Sequence, residues 1–144
     1  MKEALVIMAK APLPGQVKTR LCPPLSPEEA GRLCRCFLQD IVRLVLQLAD
    51  VDFHLAYHPP WAEPILRPLI PPSFQLWPQE GEGLAERMLH ACDQLFCQGY
   101  SRIVIIGTDS PTLPLSYLQE AFAWLRQPEV DVVLGPSEDG GYYL

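Results

Sequence analysis

The sequence predicts an α/β fold in which a mainly parallel sheet is sandwiched by helices. Short apolar runs of strand length alternate with longer segments whose apolar residues recur at helical spacing, and that alternation implies right-handed crossovers between parallel strands. The clearest runs are apolar at every position instead of every second one, as strands buried on both faces require. At 144 residues the chain reads as a single domain, 1–144, long enough to bury about 70% of the surface its unfolded form would expose.

The first strand is predicted at Ala4-Leu5-Val6-Ile7-Met8, followed by a Pro/Gly loop. Ser26-Pro27-Glu28-Glu29 combines an N-cap serine, a first-turn proline and a capping-box glutamate, so a helix starts there. Ala30, Leu33, Phe37, Ile41, Leu44, Val45 and Leu48 give that helix one buried face. Val51 to Tyr57 reads as a second strand ended by His58-Pro59-Pro60. Pro64 and Pro68 leave room only for a short or broken helix, and Phe74 to Trp77 forms a strand between prolines. Leu84, Met88, Leu89, Cys92, Leu95 and Phe96 restore the helical period, with Gly99 as its stop. Arg102 to Ile106 is the clearest strand and runs into Gly107-Thr108-Asp109-Ser110-Pro111. Residues 115–126 are predicted helical and Val130 to Leu134 a further strand, and the chain stops in apolar strand material at Tyr142-Tyr143-Leu144 without a closing helix. A fragment lacking its last elements is one reading of that ending.

Composition excludes several classes. With 49% hydrophobic and 19% charged residues the chain is not of the disordered type, in spite of 16 prolines. Ala4 to Ala9 is too short for a secretory signal, and no run approaches the ~18 apolar residues of a membrane span. A cytoplasmic protein is expected. Five cysteines, with no CxxC pair, suggest reduced thiols and neither a zinc site nor a disulfide framework.

The net charge of −6 argues against nucleic acid as a partner. Three basic residues, Lys10, Lys18 and Arg20, nevertheless lie between Ala4 and Pro27, where there is no acid. One small positive patch on an acidic protein suits a local anion such as a nucleotide phosphate.

In open parallel sheets ligands bind at the carboxyl ends of the strands, and three unusual loops follow predicted strands. In Lys10 to Arg20, Gly15 permits close backbone approach while Lys18 and Arg20 supply charge for a phosphate; the glycine spacing is not that of a Walker A loop. Asp109 stands just past a fully apolar strand, where a carboxylate can hold a hard cation whose oxygen shell a phosphate completes, with Thr108 and Ser110 beside it; a turn cap is the plain alternative. Gly135 to Gly141 sets Glu138 and Asp139 beside Gly140-Gly141; one carboxylate, Asp139 by preference, could act as a general base or a second metal ligand, although an Asp-Gly turn explains part of the pattern.

Gly81 to Arg87 adds a helix start bared by glycines, with Arg87 its plausible ligand contact. His54 and His58 fall in a strand and its turn, where a spacing of four does not bring side chains together. His90 reads as a solvated or partnered helical residue.

Four ordered blocks carry a resemblance: Met8 to Leu21, Gly83 to Met88, Gly107 to Pro111 and Gly135 to Leu144. Together they resemble a bacterial glycosyltransferase-A-like family, formerly a domain of unknown function, that includes proteins labelled arsenosugar-biosynthesis glycosyltransferases. That family is similar to 2-phospholactate guanylyltransferase and, more distantly, to molybdenum cofactor guanylyltransferase. The resemblance spans nearly the whole chain. It implies a nucleotide-diphospho-sugar transferase fold lacking its C-terminal elements, a nucleotide or nucleotide sugar as partner, and a divalent metal, Mg²⁺ or Mn²⁺, at Asp109. Lys10, Gly15, Lys18, Thr19, Arg20 and Arg87 would then bind nucleotide or phosphate, Ser110, Glu138, Gly140 and Gly141 would form the substrate loop, and Asp139 would lie near the acceptor as the catalytic residue.

Glycosyl transfer from a nucleotide diphosphate sugar is the leading expectation. Nucleotidyl transfer to a phosphorylated small molecule and a non-catalytic nucleotide-binding module are the alternatives. The sequence carries no signal for an oligomeric state.

Overall fold

A computed structural model describes residues 1–144. In chain order the elements are β1 (Lys2–Lys10), α1 (Pro27–Val45), β2 (Asp52–His58), α2 (Glu63–Leu66), β3 (Phe74–Pro78), α3 (Leu84–Cys97), β4 (Tyr100–Ile106) and α4 (Leu115–Leu125), with single 3₁₀ turns at Thr19–Leu21 and Arg67–Leu69. The four strands form one sheet in the order β3-β2-β1-β4, and every pairing is parallel. The central β1 sets the register, Lys10 lying beside His58 and Ile7 beside Ile106. Because the strands run the same way, Lys10, His58, Pro78 and Ile106 all finish at one edge.

Both faces of the sheet are covered, unequally. Leu5, Ile7, Leu55, Tyr57, Val104 and Ile106 point to the side where α1, α2 and α4 contribute Leu38, Ile41, Val45, Leu66, Leu118 and Phe122. On the opposite side Ala4, Val6 and Ala56 meet Leu95 of α3 and Tyr100. α1 starts in the predicted capping box: the Glu29 amide donates to the Ser26 hydroxyl and the Ser26 amide to the Glu29 carboxylate. Its buried stripe runs through Ala30, Cys34, Leu38, Ile41, Val42 and Val45, so it is rotated from the expected one and leaves Phe37 on its flank. α3 ends at Cys97 with Gln98 as its cap, and Gly99 turns the chain with φ +89°, a value that favours glycine.

The predicted strand at Val130 to Leu134 does not form. A strand needs a ladder partner, and this segment has none: Val132 is 72% and Leu134 64% exposed, and the chain passes irregularly from α4 to a terminal arch. Within the arch Tyr142 makes only an isolated antiparallel bridge to Pro136, so the strand expected at Tyr142 to Leu144 is also missing. Tyr143 and Leu144 still pack against the main core. A Cβ on Gly135 would lie 2.4 Å from the Tyr143 ring, so only glycine admits that ring. No helix is long and apolar enough to cross a membrane.

Candidate functional site

The strand ends open into a cleft of about 1060 Å³. Three chain segments far apart in sequence line it: Gln16 to Leu21 after β1, Gly107 to Ser110 after β4, and Ser137, Asp139 and Tyr142 to Leu144 of the arch. α3 closes one side with Leu84, Arg87 and Met88. Of the residues singled out in the sequence, Lys10, Lys18, Thr19, Arg20, Arg87, Asp109, Ser110 and Asp139 border the cleft; Gly15, Glu138, Gly140 and Gly141 do not. Gly15 and Gly140 instead make turns, with φ +78° and +86°.

The centre of the site is an ion pair across 91 positions of sequence: Lys18 Nζ donates to Asp109 Oδ1 at 2.8 Å. The two partners differ sharply in exposure, the Lys18 side chain at 13% and that of Asp109 at 89%. Lys18 has φ +49°, uncommon for a residue with a side chain, and its ammonium lies 4.4 Å from the centroid of the Phe37 ring. The cation is therefore held between a π face and a carboxylate, while Asp109 Oδ2 makes no protein hydrogen bond. Cys34, one turn before Phe37 on α1, borders the same cleft, and burial pushes its thiol pKa up, away from the reactive thiolate.

Arg87 borders the cleft and also holds the loop before α3. Its Nε donates to the Gly81 carbonyl at 2.9 Å and its Nη1 lies 3.5 Å from Gln79 Oε1. Gln79 in turn donates to the carbonyls of Ala56 and Ala9 at 2.8 and 3.4 Å. The guanidinium thus ties the loop before α3 to the ends of β1 and β2. Gln79 has no signal in the sequence beyond following a strand. Glu86 accepts from the Glu82 amide, completing the helix start. Nearby, burial together with the charges of Arg87 and Lys10 pushes the His58 pKa down.

Asp139 sits in the arch with its Oδ1 accepting the Ser137 hydroxyl at 2.6 Å and the Gly141 amide at 3.0 Å. Those two bonds, the hydroxyl's first, hold its carboxyl pKa below the ordinary value. It is a persistent anion and a weak base. The arch is pinned on both sides, Tyr143 against Tyr117 of α4 with ring centroids 6.0 Å apart, and Tyr142 against α3 with its hydroxyl 3.8 Å from Met88 Sδ.

No group of three His, Cys, Asp or Glu side chains converges in this chain. The donor set still fits a magnesium-type ion that arrives with phosphates, since such ions take one or two carboxylates and complete their shell with phosphate and water. Asp109 Oδ2 is the free ligand for that arrangement. His54 and His58 do not converge: His54 is buried in the sheet, accepting from Trp77 Nε1 through Nδ1 at 3.3 Å. His90 is exposed, 3.7 Å from Glu80.

Comparison with solved structures places the chain beside a Desulfovibrio desulfuricans G20 protein provisionally named a nucleotide-diphospho-sugar transferase. The two are 35% identical with a TM-score of 0.89, over 99% of this chain and 62% of that one. The chain thus spans less than two thirds of that structure's length. A 4-diphosphocytidyl-2C-methyl-D-erythritol synthase matches with a TM-score of 0.61 at 16% identity, over 96% of this chain and 61% of the other, a likeness of fold. No curated protein matches. Residues 41–144 match the model of a family described as an uncharacterized protein conserved in bacteria, DUF2064, and the chain belongs to that family.

Proposed function

We propose that this chain carries the donor-binding site of a metal-dependent transferase that moves a glycosyl group from a nucleotide diphosphate sugar to an acceptor hydroxyl. The observation that carries the reading is the Lys18–Asp109 pair at the mouth of the strand ends, which sets a cation and a carboxylate with one free oxygen side by side. The likeness to the Desulfovibrio protein, at 35% identity, supports the same class of donor.

In this reading Lys18, with Arg20 and Lys10 nearby, binds the diphosphate, and Thr19 donates to a phosphate oxygen. Asp109 and Ser110 bound the position of the leaving group. A divalent ion held by Asp109 Oδ2 and the diphosphate would neutralise charge on that leaving group. The acceptor oxygen bonds to the anomeric carbon as the bond from that carbon to the diphosphate oxygen breaks. The electron pair leaves with the nucleoside diphosphate, and the hydroxyl proton passes to solvent. Asp139, being a weak base, orients the acceptor hydroxyl by accepting its hydrogen bond.

The test is a thermal-shift screen of nucleoside diphosphates, triphosphates and nucleotide sugars with and without Mg²⁺ or Mn²⁺, since a ligand that binds only the folded state raises its stability. A metal-dependent rise is expected for at least one diphosphate or its sugar. Asp109→Ala should abolish the metal dependence while leaving metal-free nucleotide binding intact or stronger, because the Lys18 ammonium is then unpaired. Lys18→Ala with Arg20→Ala should weaken binding by at least about tenfold, as expected for two charge-assisted contacts. A metal-dependent shift that survives Asp109→Ala would exclude this site.

A further inference from the structure

The cleft is chemically divided. Three of its cations, Lys10, Lys18 and Arg20, come from the segment at and after the end of β1, whereas the wall shared by α3 and the arch presents Leu84, Met88 and Tyr142 with the carboxylates of Glu82 and Asp139. The single cation on that wall, Arg87, uses two of its N–H donors on Gly81 and Gln79. Leu84 is 63% and Tyr142 51% exposed, so apolar and aromatic surface lies open in the same cleft as Asp139. Tyr142 and Met88 are already in contact, 3.8 Å apart, which makes the wall one surface instead of scattered side chains.

We infer that this wall is the acceptor subsite, and that it takes an uncharged, hydroxyl-bearing acceptor with an apolar or aromatic body, not a phosphorylated one. The inference rests on the transferase reading of the cleft and deepens it. A phosphorylated acceptor needs an excess of cationic charge to meet its own; here it would face two carboxylates against one guanidinium. An aromatic or aliphatic body, by contrast, covers Leu84 and Met88 and stacks on the Tyr142 ring. Its hydroxyl then reaches Asp139, whose Oδ2 is not used by the arch. The choice also bears on reaction type: nucleotidyl transfer to a phosphorylated molecule requires the charge that this wall rejects.

The experiment is saturation-transfer NMR on the intact chain without donor, using 4-nitrophenyl β-D-glucoside and glucose 6-phosphate as probes at equal concentration. The aryl protons should receive saturation and the sugar phosphate should not. Tyr142→Ala and Leu84→Ala, both at exposed positions, should weaken the aryl probe about 2- to 10-fold, while Tyr142→Phe keeps the ring and the binding. Unchanged melting temperatures show that the variants remain folded. Absence of aryl binding, aryl binding indifferent to Tyr142→Ala, or glucose 6-phosphate competing for the same place overturns the inference. A donor that binds beside a failed acceptor result overturns this inference alone; a failed donor screen overturns the transferase reading and, with it, the acceptor role of a wall that still binds the aryl probe.

Discussion

His54 shows how one residue can be placed by sequence yet misjudged in character. Its position in a strand rules out pairing with His58 on a metal, but nothing in the pattern reveals that the ring is fully buried. Nδ1 accepts from Trp77, so the ring proton sits on Nε2, which has no partner. Burial depresses its pKa from the ordinary 6.5, against a smaller opposing pull from Asp52. The sign follows directly: the folded state binds the proton less readily than the unfolded state, so this contribution to stability is present above about pH 6.5 and is lost as pH falls below it. Replacing the ring with an apolar group removes the titration, and it exchanges the unpartnered Nε2 donor for the Trp77 Nε1 donor left without its acceptor. The urea midpoint of His54→Leu, relative to that of the unaltered chain, should therefore be higher at pH 5 than at pH 8. An equal fall at both pH values would sink this account. Lys18 and Asp109 could be assigned to one sheet edge because each lies in a loop that follows an apolar strand. Phe37 was counted only as a member of a helical stripe, and its place under the Lys18 ammonium depends on a rotation of α1 that spacing does not specify.

Elements that the sequence marks with two independent signals form where expected, and β2, β3 and α4 form at their expected places as well. α1 has a capping box and a stripe, α3 a stripe and a glycine stop, and β1 and β4 continuous apolar runs with turn residues after them. Val130 to Leu134 had only apolar composition, which attracts a strand assignment but cannot supply the neighbouring ladder. A different kind of link, invisible to periodicity, joins the far ends of the elements. Glu3 at the start of β1 is 7% exposed and accepts from Arg126, the residue capping α4, at 2.9 and 2.6 Å, with Arg102 of β4 at 3.5 Å. Arg102 also donates to the Leu125 carbonyl. Three elements are fastened at one buried carboxylate. Arg126→Ala leaves that carboxylate with a single long contact and should cost about 1.5–3 kcal/mol in urea unfolding. Glu3→Ala combined with Arg126→Ala should cost less than the sum of the single changes, because the second removal no longer strands a charge. Strict additivity would show that the clamp is incidental.

At the scale of the molecule, the parallel sheet turns a linear arrangement into a site. Loops after β1 and β4 must open at the same edge, because every strand points that way. The arch reaches the same place by a different route, anchored through Tyr143 on the core and Tyr142 on α3. That much of the site was readable from strand direction; the arch's contacts were not, because they depend on side chains packing across elements. The opposite end of the sheet carries the Glu3 clamp and a smaller hollow near Asp50 and Arg126, with none of the proposed ligand contacts. Binding should consequently quiet three distant stretches of sequence at once and leave that end untouched. With Mg²⁺ and saturating amounts of a nucleoside diphosphate identified by thermal shift, amide hydrogen exchange should slow in peptides covering 10–20, 107–113 and 135–141, and stay unchanged in 46–52 and 119–127. Opening of loops over a bound ligand is suppressed locally, so the protection should appear without a general rise across the core strands. Protection confined to a single loop would mean that the cleft does not act as one site, and protection centred on 46–52 would move the binding site to the other end of the sheet.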